Sequence, residues 1–148
     1  GSYGGYMTFC AMSMDTRHRF ACGVAIYGDG DIFNSWARCE RDTRLYTEMM
    51  LDHPAAKRNV YEAGSCIRFA KDIQKPLLIV HGLDDLVVPT ASSEEMVEEL
   101  KKLNKVFEYK TYAGESHGFL KRKTKLDFYS RVETFLDWYL LPDYRKVK

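Results

Sequence analysis

Short, wholly apolar runs alternate along the chain with longer stretches in which apolar residues recur every three or four positions. Leu77-Leu78-Ile79-Val80, entered through Pro76, is apolar on both faces, as a strand covered on both sides must be. Phe20 to Tyr27 and Val106 to Tyr112 read as two further strands. Gly5 to about Asp15 is apolar nearly all round, the pattern of a helix laid on a sheet. Thr90 or Ser92 can cap a second helix with Met96, Val97, Leu100 and Leu103 on one face. Thr124 and Asp127 form a capping box for a last helix, with Leu126, Tyr129, Val132, Leu136 and Tyr139 inward. This alternation predicts a parallel α/β sheet with helices on both faces. Residues 31–75 are the least legible. Ile32, Phe33 and Trp36 make an aromatic patch, and Leu45, Tyr46, Met49 and Met50 keep helical spacing up to Pro54.

The totals narrow the field. With 148 residues, 45% hydrophobic and 29% charged, the chain has one domain's worth of core and is not disordered by composition. A net charge of +1 gives no field for nucleic acid or an anionic membrane. Lys121-Arg122-Lys123-Thr124-Lys125 is the one basic run and reads as a solvated loop. Cys10, Cys22, Cys39 and Cys66 form no C-x-x-C pair and no Cys/His cluster at zinc spacing, so no metal or other cofactor is expected. Unpaired cysteines point to a cytoplasmic setting. No apolar run approaches the roughly 18 residues that span a bilayer.

Candidate chemistry sits on loops after strands, where open α/β sheets collect their active residues. Gly1-Ser2-Tyr3-Gly4-Gly5-Tyr6-Met7 matches the back of a G-x-S-x-G elbow, with Ser2 at the turn from strand to helix. Its glycines are expected because a Cβ would collide across so tight a turn. Asp84 and Asp85 follow the strand at Pro76–Val80, and His117 follows the strand at Val106–Tyr112. Singly each has a plainer reading: a tag remnant or ordinary loop, turn acids, a loop histidine beside glycine. Together they run Ser…Asp…His, the order of α/β-hydrolases. A serine hydroxyl needs an imidazole to take its proton, and the imidazole needs a carboxylate to hold its tautomer.

The elbow, Pro76-Leu-Leu-Ile-Val-His81-Gly-x-x-Asp85-x-x-Val88-Pro89 and Tyr112-Ala-Gly-Glu-Ser-His117-Gly-Phe119 together resemble the catalytic domain of the prolyl oligopeptidase family of serine peptidases. The resemblance runs nearly end to end. It implies Ser2 as nucleophile, His117 as general base and Asp85 as acid, with Asp84 as fallback and His81, His18 and His53 structural. It implies the Tyr3 N–H as one oxyanion donor, the second being a tyrosine hydroxyl well upstream of the elbow. It implies a substrate pocket of Tyr27, Phe33, Trp36, Val87 and Val88, suited to an apolar side chain or proline. Many relatives carry an arginine two residues after the catalytic aspartate; Val87 stands there in this chain.

The resemblance further implies that residues 1–148 are the C-terminal portion of an α/β-hydrolase fold, an incomplete domain starting at the elbow. An N-terminal part, with a β-propeller in this family, would precede it. The expected activity is cleavage of short peptides through an acyl-enzyme. An esterase on the same triad and a non-catalytic remnant are the rival readings. By itself the chain is expected to be inactive and to associate through the unpaired edge of the strand Phe20–Tyr27, with Tyr6, Met7, Phe9 and Met12 partly bare.

Overall fold

A computed structural model describes residues 1–141 and 143. Three strands, β1 (Gly23–Ile26), β2 (Leu77–Gly82) and β3 (Phe107–Tyr112), form one parallel sheet in the order β1-β2-β3. The register sets Ile26 opposite Val80, and Gly82 opposite Tyr112. The central strand β2 is buried along its whole length, which explains its unbroken apolar run.

Helix α1 (Tyr3–Met14) leads into β1. Helices α2 (Ile32–Arg38), α3 (Arg41–Leu51) and α4 (Arg58–Gly64), followed by a 3-10 helix (Cys66–Asp72), join β1 to β2. Helix α5 (Ala91–Lys102) joins β2 to β3, and α6 (Arg122–Leu140) follows β3. Alternate residues of β2 feed two cores. Leu77 and Ile79 pack with Phe9 and Met12 of α1, Cys66 and Ala70 of the 3-10 helix, and Met96 and Leu100 of α5. Leu78 and Val80 pack on the other face with Phe128 and Phe135 of α6. The expected three-strand parallel arrangement is therefore present.

Several expectations are corrected. The first strand is four residues rather than eight, and Phe20 is exposed. The third begins at Phe107, with Val106 exposed. Phe9 and Met12 are buried, not bare, because the 3-10 helix covers them; Met7 alone of the expected four is exposed. Thr90 precedes α5 but donates its hydroxyl to the Gly82 carbonyl (2.8 Å) instead of capping, and Ser92 lies inside the helix.

Helix α6 starts before the Thr124–Asp127 box. The Glu115 carboxylate accepts the N–H groups of Leu120 (2.7 Å) and Lys121 (3.1 Å), which draws the helix start back to Arg122. Asp127 instead accepts a bond from the Tyr112 hydroxyl (2.6 Å). The inward face is then Thr124, Phe128 and Phe135, with Val132, Leu136 and Tyr139 at its margin. Leu126 and Tyr129, expected inside, are 63% and 66% exposed.

Candidate active site

The elbow is held beside the end of β1 by backbone contact. The Ser2 N–H donates to the Ile26 carbonyl (3.0 Å), and the chain enters α1 immediately afterwards. Ser2 has φ +55° and ψ −124°, a conformation unfavourable for any residue with a Cβ, as the strained apex of a nucleophile elbow requires. The glycine expectation holds for only part of the turn. A Cβ on Gly5 would stand 2.7 Å from both the Gly28 Cα and the Ile26 carbonyl, so α1 crosses the end of β1 backbone to backbone. Gly4, the last glycine of the elbow pattern, has nothing within 4 Å of such a Cβ.

The three chemical side chains meet. Ser2 Oγ lies 2.7 Å from His117 Nε2, and His117 Nδ1 lies 2.8 Å from Asp85 Oδ2. Asp85 Oδ1 accepts the N–H groups of Val87 (3.0 Å) and Val88 (2.9 Å). Burial by itself would raise the Asp85 carboxyl, but hydrogen bonds from His81, His117 and the Val88 N–H outweigh it and hold it below the usual carboxylate range. Asp84 is exposed beside it and does not reach His117, so the two neighbouring acids are separated by geometry.

Two loops carry this assembly, and they are sewn together. The N–H of Leu83 donates to the Tyr112 carbonyl (3.0 Å) and that of Asp84 to the Glu115 carbonyl (2.9 Å). Any Cβ on Gly82 would overlap the backbone of Glu115 and Ser116. His117 is steadied from the side by Tyr27, whose ring centroid is 4.7 Å away. Such a chain can move a proton from the serine to the imidazole while the carboxylate keeps Nδ1 protonated. Tyr3, as the first residue of α1, has no earlier turn to receive its N–H, which leaves that donor available beside Ser2.

Comparisons with known proteins give the family. The description "Prolyl oligopeptidase family" fits residues 1–142. The chain belongs to the prolyl oligopeptidase family. Dipeptidyl peptidase family member 6 of Caenorhabditis elegans is 29% identical over 143 residues, covering 92% of this chain and 19% of that protein. Dipeptidyl aminopeptidase BIII of Pseudoxanthomonas mexicana is 30% identical over 142 residues, covering 92% and 20%. The solved structure of a puromycin-hydrolyzing peptidase of Mycobacterium tuberculosis superposes with a TM-score of 0.88 at 28% identity, covering 95% of this chain and 21% of that one. This chain thus spans about a fifth of the length of the relatives it matches. The fold is accordingly part of an α/β-hydrolase sheet, and the family is one of serine peptidases. It also contains proteins named inactive: inactive dipeptidyl peptidase 10 of the rat is 27% identical over 136 residues, covering 90% of this chain and 16% of that protein.

A cavity of about 760 Å³ opens beside Ser2. Of the residues expected to line it, Trp36, Val87 and Val88 do, along with Tyr3. Tyr27 and Phe33 do not. Tyr27 turns to His117 and Phe119, and Phe33 packs against Trp36 and Tyr61. Tyr6, Ile32, Cys39, Tyr46, Met50 and Val60 complete much of the wall. Tyr6 in the elbow, Ile32 in the aromatic patch and the helical spacing of Tyr46 and Met50 were the sequence signals there, and none of them says where a cavity lies. Asp29 also borders the cavity; burial pushes its carboxyl up to about 7 despite bonds from Ser35 and the Asp31 N–H.

Among the described residues no group of three or more His, Cys, Asp or Glu could hold a metal ion. Also among them, no helix is long and apolar enough to cross a membrane.

Proposed function

We propose that this chain carries the reacting groups of a serine peptidase that cleaves short peptides through an acyl-enzyme. The observation that supports this most is the unbroken hydrogen-bonded chain Ser2–His117–Asp85. In this reading Ser2 Oγ attacks the scissile carbonyl and His117 Nε2 takes its proton. His117 then gives that proton to the leaving amine, and a water activated by the same nitrogen hydrolyses the ester on Ser2. Asp85 stays ionised and holds the imidazole. The Tyr3 N–H stabilises the oxyanion, and a donor from outside residues 1–148 completes that hole. The cavity with Trp36, Val87 and Val88 receives the side chain next to the scissile bond.

The intact triad favours an active enzyme over an inactive relative. The four free cysteines support a reducing compartment. Residues 1–148 alone should be inactive, because among the described residues β1 pairs only with β2, and Tyr3 is the single oxyanion donor this reading assigns to them. The test is hydrolysis of chromogenic dipeptide amides and matched short-chain esters by the full-length protein and by Ser2→Ala. Amide turnover that disappears in Ser2→Ala is expected. Ester turnover without amide turnover would replace the peptidase by an esterase, and no turnover of either would overturn the reading.

A further inference from the structure

Beneath the proposed triad lies a second histidine that the mechanism above does not use. His81, at the end of β2, is fully buried, where the preceding residues of the strand are apolar. A buried imidazole is costly unless its nitrogens are bonded, so a merely space-filling role would be met more cheaply by leucine. Both nitrogens are engaged. Nδ1 lies 2.6 Å from Ser93 Oγ, which in turn lies 3.3 Å from the Gly28 carbonyl. Nε2 lies 2.9 Å from the Val88 carbonyl and 3.2 Å from Asp85 Oδ2.

The tautomer follows from the neighbours. Both groups facing Nε2 are acceptors, so Nε2 carries a proton whether the ring is neutral or charged, and that one proton is shared between the nearer Val88 carbonyl and Asp85 Oδ2. Ser93 can donate to Nδ1, or accept from it while donating to Gly28; neither choice alters Nε2. Asp85 Oδ2 therefore faces two imidazole N–H groups, from His81 and His117, while Oδ1 takes two backbone N–H groups. With both oxygens committed, the carboxylate cannot swing about its own axis. Its orientation is what places His117 over Ser2.

We infer that His81 is a positioning residue of the reaction, donating from Nε2 to Asp85 and through Asp85 fixing the imidazole of His117. The inference rests on the triad reading. It extends the triad inward into a five-member chain, Ser2–His117–Asp85–His81–Ser93. Partners one step removed from a reacting group often cost about 10–100-fold in activity when lost, as around metal sites.

The test uses the full-length protein with three variants. His81→Leu keeps bulk and loses both ring nitrogens. His81→Gln can present an amide N–H where Nε2 stood. The shorter His81→Asn reaches Ser93 but not Asp85. Two readouts apply: the rate of labelling by a small fluorophosphonate, which does not depend on the cavity, and kcat and KM on a peptide amide. His81→Leu should lower the labelling rate and kcat together by about 10–100-fold with KM changed less than about threefold. His81→Gln should recover most of both rates and His81→Asn should not, at matching thermal midpoints. Should His81→Leu fail to fold, the order of Gln above Asn still decides. Equal rates for Gln and Asn, or wild-type rates in His81→Leu, would overturn the inference. Wild-type protein that takes no label would overturn the triad reading itself, and this inference with it.

Discussion

Two loops and three helices border the same serine, and they differ in what they bury. In the loops 82–90 and 113–120 nearly every polar handle is used. Asp85 takes two backbone N–H groups and faces two histidines, Glu115 takes two N–H groups, and Gly82 allows the two backbones to touch. Helices α2 to α4, which wall the cavity, bury only Ser35 and Tyr61 along their lengths, and α3 buries no side chain at all. Leu45, Tyr46, Met49 and Met50 of α3 face solvent, Met49 at 84%. On the proposed reading the difference separates chemistry from recognition. Groups that must hold a proton's path to a few tenths of an ångström are bonded at the reacting atoms themselves. The wall is bonded away from the serine, Trp36 Nε1 to Glu48 and Arg44 to the carbonyls of Trp36, Ala37 and Cys39, and leaves flexible methionine on its surface.

The contrast is broken most severely at the acid. Asp85→Asn should cost roughly 10⁴ in kcat, the scale seen when a triad imidazole loses its tautomer, whereas Asp84→Asn should cost little. Steady-state kinetics on the full-length protein checks this; reversed losses would move the acid by one residue. The next effect lies in how the loops touch. Gly82→Ala should destabilise by about 3 kcal/mol, because its Cβ meets backbone that cannot rotate away. Gly4→Ala, in open space at the start of α1, should be neutral or better by thermal unfolding. Equal losses would mean that the elbow, not the loop contact, limits stability.

On the cavity side the effects shrink and change kind. Trp36→Ala should raise KM for substrates with a bulky apolar side chain by about tenfold while leaving the fluorophosphonate rate unchanged. A fall in labelling would tie the wall to the chemistry after all. The smallest effect concerns Asp29. Its carboxyl is raised by burial to about 7, so the folded state keeps a proton that the unfolded state gives up near pH 4. Stability from this group is therefore present at low pH and lost as pH rises from about 4 to 7. Asp29→Asn should raise the thermal midpoint at pH 8 more than at pH 5, and an equal gain at both would show that the carboxyl is not held neutral.

The same division explains what was legible in the sequence. Leu77–Val80 reads as a strand buried on both faces, and the loops after β2 and β3 followed from it, so Asp84, Asp85 and His117 could be named from residues alone, while the choice of Asp85 over Asp84 came from the resemblance. Side-chain contacts from a loop to the next helix were not legible. That Glu115 reaches Leu120 and Lys121 at the start of α6 leaves no periodic trace, and the spacing through Leu126 and Tyr129 picked the wrong face of that helix. The cavity wall was half legible. Trp36, Val87 and Val88 were named from what the resemblance implies and do line the cavity, but Tyr27 is drawn aside by its contact with His117, and the apolar spacing of α3 does not show that the structure exposes that face. His81 was read as structural because spacing cannot show that its Nε2 faces the Asp85 carboxylate.

The most direct test of the central claim is to label the full-length protein with a fluorophosphonate and locate the adduct by peptide mass spectrometry. One adduct on the peptide carrying Ser2, absent in Ser2→Ala and strongly slowed in Asp85→Asn, is the result expected. An adduct on any other serine, or none on a folded protein, would contradict it.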